Sequence, residues 1–233
     1  MSSFAPNATV VLVHGAWADG SCWQNLILPL RKEGLQVTCA PLPLTSLTED
    51  IAALHRVLER TNGPAVLAGH AYAGAVIAGA DDARIRSLVY IAALAPAEGE
   101  TVAEVFYRAR PHPEAPDLKP DAHGLIWMPE GGFAHAVAHK APAELTTILE
   151  TVQRPIALRC IQEKAPVPAW KTRPSWFLLA QEDRMIAPET QCYMAQRMGA
   201  KIRTCQVDHT PMHTAPDVVV EVILEAARET LAC

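Results

Sequence analysis

The chain has 233 residues, of which 50% are hydrophobic and 19% charged, enough apolar side chains to bury one sizeable α/β core and too many for disorder to be its main state. Its formal net charge of -5, with 20 Lys and Arg dispersed along the chain, offers no basic stripe for a phosphate backbone, so nucleic acid is excluded as the expected partner. Met1 to Ala8 lacks a basic stretch followed by an apolar one, and no apolar run approaches the ~18 residues of a membrane span.

Short apolar runs alternate with amphipathic stretches, the pattern of βα units on a parallel sheet. Thr9 to Val13 reads as the first strand; it ends at His14-Gly15, and a helix is expected from about Trp23 to Lys32, closed by Gly34. Leu35 to Cys39 is the second strand. Ile51, Leu54 and Leu58 then mark one face of a helix with Thr48 as its expected cap and Asn62-Gly63-Pro64 as its stop. Ala65 to Ala68, Ser87 to Ala92, Trp176 to Ala180 and Lys201 to Val207 are the remaining core strands. A closing helix spans Asp217 to Thr230, with Val219, Val222, Ile223 and Ala226 facing inward.

Between Pro96 and Pro174 this rhythm breaks. The stretch carries 11 of the 19 prolines, a density that regular βα repeats do not tolerate. One compact unit is therefore expected, with a core of residues 1–95 and 175–233 and an inserted cap of residues 96–174. Within the cap Pro142 to Leu149 reads as a helix, and Tyr107, Trp127 and Phe133 are candidate pocket walls or, equally, glue between cap and core.

The six cysteines show no C-x-x-C pair, and most lie in apolar runs, so free thiols in a reducing, cytoplasmic setting are expected. His135 and His139 have i, i+4 spacing but no intervening Glu and no third ligand, so neither a metal nor any other cofactor is expected.

The chemistry centres on Gly69-His70-Ala71-Tyr72-Ala73-Gly74. A buried strand, a sharp turn and a small-residue helix form the setting of a nucleophile elbow, and Ala71 occupies the position where that motif places Ser. Three other segments stand in the order this chemistry needs. His14-Gly15-Ala16-Trp17 after the first strand can aim the Ala16 N–H at the same space as the Tyr72 N–H, making an oxyanion hole, although an ordinary glycine-containing βα turn reads the same way. Glu182-Asp183 ends the fifth core strand, where Asp183, with Glu182 as runner-up, can orient a histidine. Asp208-His209-Thr210 follows the sixth, placing His209 as general base and His213 as a weaker candidate.

On these segments the chain resembles the α/β-hydrolase fold superfamily, close to small bacterial esterase-like hydrolases and similar to the plant methylesterase and hydroxynitrile lyase group. The resemblance covers the whole chain and implies a doubly wound, mostly parallel sheet of about six strands. It also implies the triad positions Ala71, Asp183 and His209, the oxyanion donors Ala16 and Tyr72, and a pocket that involves Trp17, Trp23, His70, Tyr107, Trp127 and Phe133. Bacterial relatives commonly read Gly-His-Ser-Tyr-Ala-Gly at the elbow, so Ala71 is the departure. Cyanohydrin-cleaving members place Lys after the histidine, where this chain has Thr210, which counts against that reaction.

The resemblance implies a serine-type hydrolase of a small apolar or aromatic ester or lactone, here in a nucleophile-less form with Ser→Ala engineered at 71. Two alternatives stand beside it: a naturally serine-free lyase, isomerase or cofactor-free oxygenase using His209 and Asp183, and a non-catalytic binder of small ligands. No nucleic-acid or membrane partner is expected, and a homodimer is left open.

Overall fold

The computed structural model describes residues 4–232; Cys233 and the first residues of the N-terminal segment considered above lie outside them. Six strands, β1 (Thr9–Val13), β2 (Gln36–Ala40), β3 (Ala65–His70), β4 (Ile85–Ile91), β7 (Ser175–Ala180) and β8 (Lys201–Cys205), form one sheet in the order β2-β1-β3-β4-β7-β8. Every pairing in it is parallel. Between β4 and β7 a two-stranded antiparallel ribbon, β5 (Leu125–Ile126) with β6 (Ile156–Ala157), replaces the βα repeat.

Alternation along the strands divides the core into two layers. Val11, Val13, Leu67, Leu88, Tyr90, Phe177 and Leu179 face one side, where α2 (Leu47–Leu58), α3 (Ala73–Gly79) and α7 (Pro188–Arg197) pack. Val10, Leu12, Val66, Ala68, Val89, Ile91, Trp176 and Leu178 face the other, covered by α1 (Gln24–Lys32) and α9 (Pro216–Thr230). Central strands buried on both faces need the near-continuous apolar runs seen in the sequence. The inward face expected for the last helix, Val219, Val222, Ile223 and Ala226, is buried.

The 96–174 segment adds α4 (Val102–Phe106), α5 (Ala143–Thr151), α6 (Leu158–Gln162) and a π-helical turn at Phe133–Val137. The capping box Thr101/Glu104 starts α4, each side chain meeting the other's backbone N–H. A short helix, α8 (Pro211–Thr214), precedes α9.

The cap of α2 is Ser46 rather than Thr48. Ser46 has extended backbone and its hydroxyl accepts from the Glu49 N–H, whereas Thr48 is already inside the helix and bonds through its N–H and hydroxyl to Glu163. Strand edges differ from expectation by one or two residues: β3 continues through His70, and β8 stops at Cys205. Cys22, Cys39, Cys160, Cys192 and Cys205 are free thiols. No helix among the described residues is long and apolar enough to cross a membrane.

Candidate active site

Loops leaving the C-terminal ends of β1, β3, β7 and β8 converge on one region, as expected for ligand crevices in open parallel sheets. The turn after β3 puts Ala71 in the left-handed region at φ 50°. An L-residue there costs of order 1–2 kcal/mol relative to ordinary backbone, and the surroundings hold it in place. The Ala71 N–H donates to the Ile91 carbonyl at 3.3 Å, and the Ala71 carbonyl accepts from Gly74 N at 3.1 Å and Leu94 N at 2.9 Å. The glycines are forced by close approach: a Cβ on Gly69 would come within 2.9 Å of the Ala73 carbonyl oxygen, and one on Gly74 within 2.3 Å of that of Leu94. Ala73 is fully buried where the usual motif has its second glycine, and the backbone accommodates its methyl.

Against this turn lies the loop after β1. A Cβ on Gly15 would be 3.1 Å from the Ala71 Cβ and 3.0 Å from the His70 carbonyl oxygen, so Gly15 is what lets the two loops touch. His14 anchors this loop from beneath. Its Nδ1–H donates to the Gly15 carbonyl at 2.9 Å and its Nε2 accepts from Leu42 N at 3.1 Å, a neutral ring whose pKa burial lowers. Trp17, at φ 59°, donates from Nε1 to the Ile126 carbonyl and ties the loop to β5. Among the described residues, neither the Ala16 N–H nor the Tyr72 N–H donates to a main-chain acceptor.

Opposite Ala71, the His209 Nδ1–H donates to Asp183 Oδ2 at 2.8 Å. Asp183 is itself immobilised: Oδ1 accepts from Met185 N at 2.7 Å and Ile186 N at 2.9 Å, and Oδ2 also accepts from Gln191 Nε2 at 2.8 Å. Because a carboxylate only accepts, this pairing fixes the proton of a neutral His209 on Nδ1 and leaves the Nε2 lone pair free. The His70 Nε2–H donates to the His209 carbonyl at 2.7 Å.

Glu182, the alternative acid, points away and pairs with Lys140 at 2.8 Å. Asp208 accepts from Lys140 N, Thr210 N and the Thr214 hydroxyl, which shapes the loop that carries His209. His213 does not reach Asp183, and its buried Nδ1 has no partner among the described residues.

Two cavities meet at the elbow. The larger, about 260 Å³, is lined mainly by Leu94, Val102, Phe106, Ile126, Ile156 and Ile161, with Tyr107 on its exposed side. The smaller, about 40 Å³, has His70, His213, Thr210, Cys22 and Phe133 on its wall. Ala16, Trp17, Ala71 and His209 border both. Two expected wall residues lie elsewhere. Trp23 is fully buried in the α1/α9 layer, edge-on to His70 at 6.5 Å, so it supports the site without lining it. Trp127 is 46% exposed, its Nε1 donates to Asp121, and it borders neither cavity.

Sequence reasoning missed Gln191 and Asp50. Gln191 is unremarkable within a polar stretch. Asp50 left a trace, for it stands on the same stripe of α2 as Leu47, Leu54 and Leu58, where a charge signals a buried polar contact.

The β3 elbow, the His209–Asp183 pair and the order of the loops agree with a match to the alpha/beta hydrolase family that covers residues 10–222. The chain belongs to this family. Among proteins of known sequence it is 27% identical over 173 residues to a carbendazim hydrolyzing esterase of Nocardioides sp. (strain SG-4G), covering 67% of this chain and 69% of the relative. It is 26% identical to the alpha/beta hydrolase nvfD of Aspergillus novofumigatus, covering 95% and 97% of the two chains. Among solved structures, the Arabidopsis methylesterase MES16 superposes with a TM-score of 0.76 at 20% identity, covering 95% of this chain and 99% of that one, a likeness of fold.

Proposed function

We propose that this alpha/beta hydrolase carries the site of a serine-type hydrolase for small apolar or aromatic carboxylic esters or lactones, with Ala71 standing where the nucleophilic serine belongs. One observation carries the reading: Ala71 and His209 border the same apolar cavity, while Asp183 holds the His209 ring through Nδ1. A hydroxyl on Cβ of residue 71 would have His209 Nε2 as its base. Attack of that oxygen on the substrate carbonyl transfers its proton to Nε2, and the Ala16 and Tyr72 N–H groups receive the developing oxyanion. Collapse of the tetrahedral intermediate returns the proton to the leaving alcohol, and water deacylates the enzyme by the same route. In this reading residues 96–174 form the cap, which supplies most of the apolar wall and excludes water.

With Ala71 in place this route has no nucleophile. Removing the serine of a triad costs about 10⁶ in kcat, so the chain as it stands is expected to be strongly impaired while still binding ligand. The deciding experiment installs Ala71→Ser and measures hydrolysis of short aryl esters together with labelling by a phosphonylating probe. Turnover and stoichiometric labelling are expected, and a folded Ala71→Ser protein showing neither defeats the proposal. The intact His209–Asp183 pair also supports a serine-free acid–base reaction. That second reading requires turnover with Ala71 in place and its loss in His209→Ala.

A further inference from the structure

The machinery above makes no use of the carboxylate of Asp50, which is fully buried beside the elbow. An unpaired carboxylate in such a place would be expensive to desolvate, and this one is surrounded by donors. Its Oδ1 accepts from Leu44 N at 2.8 Å, and its Oδ2 from the Tyr72 hydroxyl at 2.7 Å and the Cys160 thiol at 3.7 Å. No Lys or Arg forms an ion pair with it among the described residues.

These donors come from three separate parts of the chain. Leu44 belongs to the loop before α2, Tyr72 follows the elbow residue directly, and Cys160 is on α6, whose neighbours Leu158 and Ile161 line the larger cavity. Leu44 also reaches the same wall from its other side, its carbonyl accepting from Ala157 N at 2.9 Å.

We propose that Asp50 is a positioning residue: by holding the Tyr72 hydroxyl it aims the Tyr72 main-chain N–H at the oxyanion position and joins that donor to the cavity wall at residues 156–161. The inference rests on the role given to Tyr72 under the proposed function. Two arguments carry it. Donors from three chain segments fix the Asp50 carboxylate, so the Tyr72 hydroxyl meets an acceptor of set position. Tyr72 also lines the cavity, and it is held at both ends, its hydroxyl by Asp50 and its main-chain carbonyl by Ala75 N at 3.0 Å, which removes the freedom to rotate between them.

Protonation agrees with the donor directions. Burial pushes the Tyr72 hydroxyl well up and the Cys160 thiol up to about 12, so both remain protonated. Burial also raises Asp50, while the bonds from Tyr72, Leu44 and Cys160 hold it down.

The test needs no turnover and uses the chain with Ala71. The probe is 4-nitrophenol, titrated by absorbance with and without protein across its ionisation range, beside 4-nitroanisole as an analogue that cannot ionise. The parent chain is expected to bind the phenolate in preference to the phenol. Tyr72→Phe keeps the N–H and the ring but removes the tie, and Asp50→Asn replaces the acceptor. Each should weaken phenolate binding about tenfold while 4-nitroanisole binding changes less than about threefold. A parent with no phenolate preference, or a folded Tyr72→Phe protein that retains it in full, overturns the proposal. Tyr72→Phe decides the outcome if Asp50→Asn does not fold. Failure of ester hydrolysis is read separately in Ala71→Ser, so a silent Ala71→Ser protein whose parent shows a Tyr72-dependent phenolate preference removes the hydrolase reading and retains the role of Asp50.

Discussion

His70, the residue before the elbow, holds His209 by its main-chain carbonyl, Nε2–H to oxygen at 2.7 Å, with the two rings 4.7 Å apart. The strand that presents residue 71 thereby sets the position of the His209 main chain. Burial, reinforced by His209, holds the His70 pKa well below the ordinary histidine value, so the ring is a neutral donor. In the Ala71→Ser protein, His70→Ala should lower kcat by about 10- to 100-fold, the loss expected from one buried hydrogen bond and its unsatisfied carbonyl. KM should change little, and His70→Gln should recover part of the loss. Steady-state kinetics on one aryl ester checks this, and an unchanged kcat in His70→Ala removes the clamp.

The two adjacent acids of the 181–186 loop have separable effects. Asp183→Asn should reduce kcat of the Ala71→Ser protein by about 10⁴, because the amide favours the wrong imidazole tautomer. Glu182→Gln, which only breaks the partly exposed pair with Lys140, should leave kcat within about twofold and cost no more than about 1 kcal/mol of stability. Equal effects of the two substitutions would mean that the acid has been misassigned.

Gly74 should be intolerant of even one methyl group. Its added Cβ would meet main-chain oxygen of Leu94, which cannot swing aside, so Gly74→Ala is expected to destabilise by roughly 1–3 kcal/mol or more. Gly79→Ala makes an equally close approach on paper but meets the flexible end of Ile51, and should cost less. Urea denaturation of both variants ranks them.

Filling the larger cavity should separate binding from chemistry. Ile161→Trp is expected to weaken binding of a naphthalene-sized apolar ligand by more than about tenfold, with the far-ultraviolet spectrum unchanged. Calorimetric titration of the Ala71 chain reports this without turnover. Unaltered affinity would place the ligand elsewhere.

Stability should fall on mild acidification. Burial lowers the pKa values of His14, His70 and His213, whereas the unfolded chain binds these protons near pH about 6.5. Above that value the three neutral rings cost nothing. As pH drops below it the unfolded state takes up protons that the fold refuses, and stability declines by up to about 4 kcal/mol per pH unit while all three stay neutral. Asp50, with its pKa raised by burial, acts in the opposite sense at lower pH and blunts the decline. Denaturation midpoints from pH 8 to pH 5 test the slope, and a flat profile contradicts it.

The parallel sheet and its loop order were legible because buried strands leave runs such as Val10 to Val13 and Val66 to Ala68 with few alternatives. The pairing of His209 with Asp183 was readable for the same reason, since both stand directly after such strands. What lay beyond sequence was lateral contact. Trp23 and Trp127 looked alike as aromatic residues near the site, yet one packs beneath it and the other hydrogen-bonds in solvent. Residue type carries hydrophobicity but not direction. Ser46 displaced Thr48 as the α2 cap because capping depends on which of two nearby hydroxyls has the extended backbone.

The left-handed backbone at Ala71 also bears on how residue 71 can be exchanged. Alanine and serine codons can differ by a single nucleotide, and here the main chain already has the shape that serine would require, with strand, loop and hydrogen bonds built around it. Under the proposed hydrolase reading, a single substitution at residue 71 therefore separates a chain with the nucleophile from one without it. The exchange leaves the hydrogen bonds of the turn in place, because all of them are made by main-chain atoms.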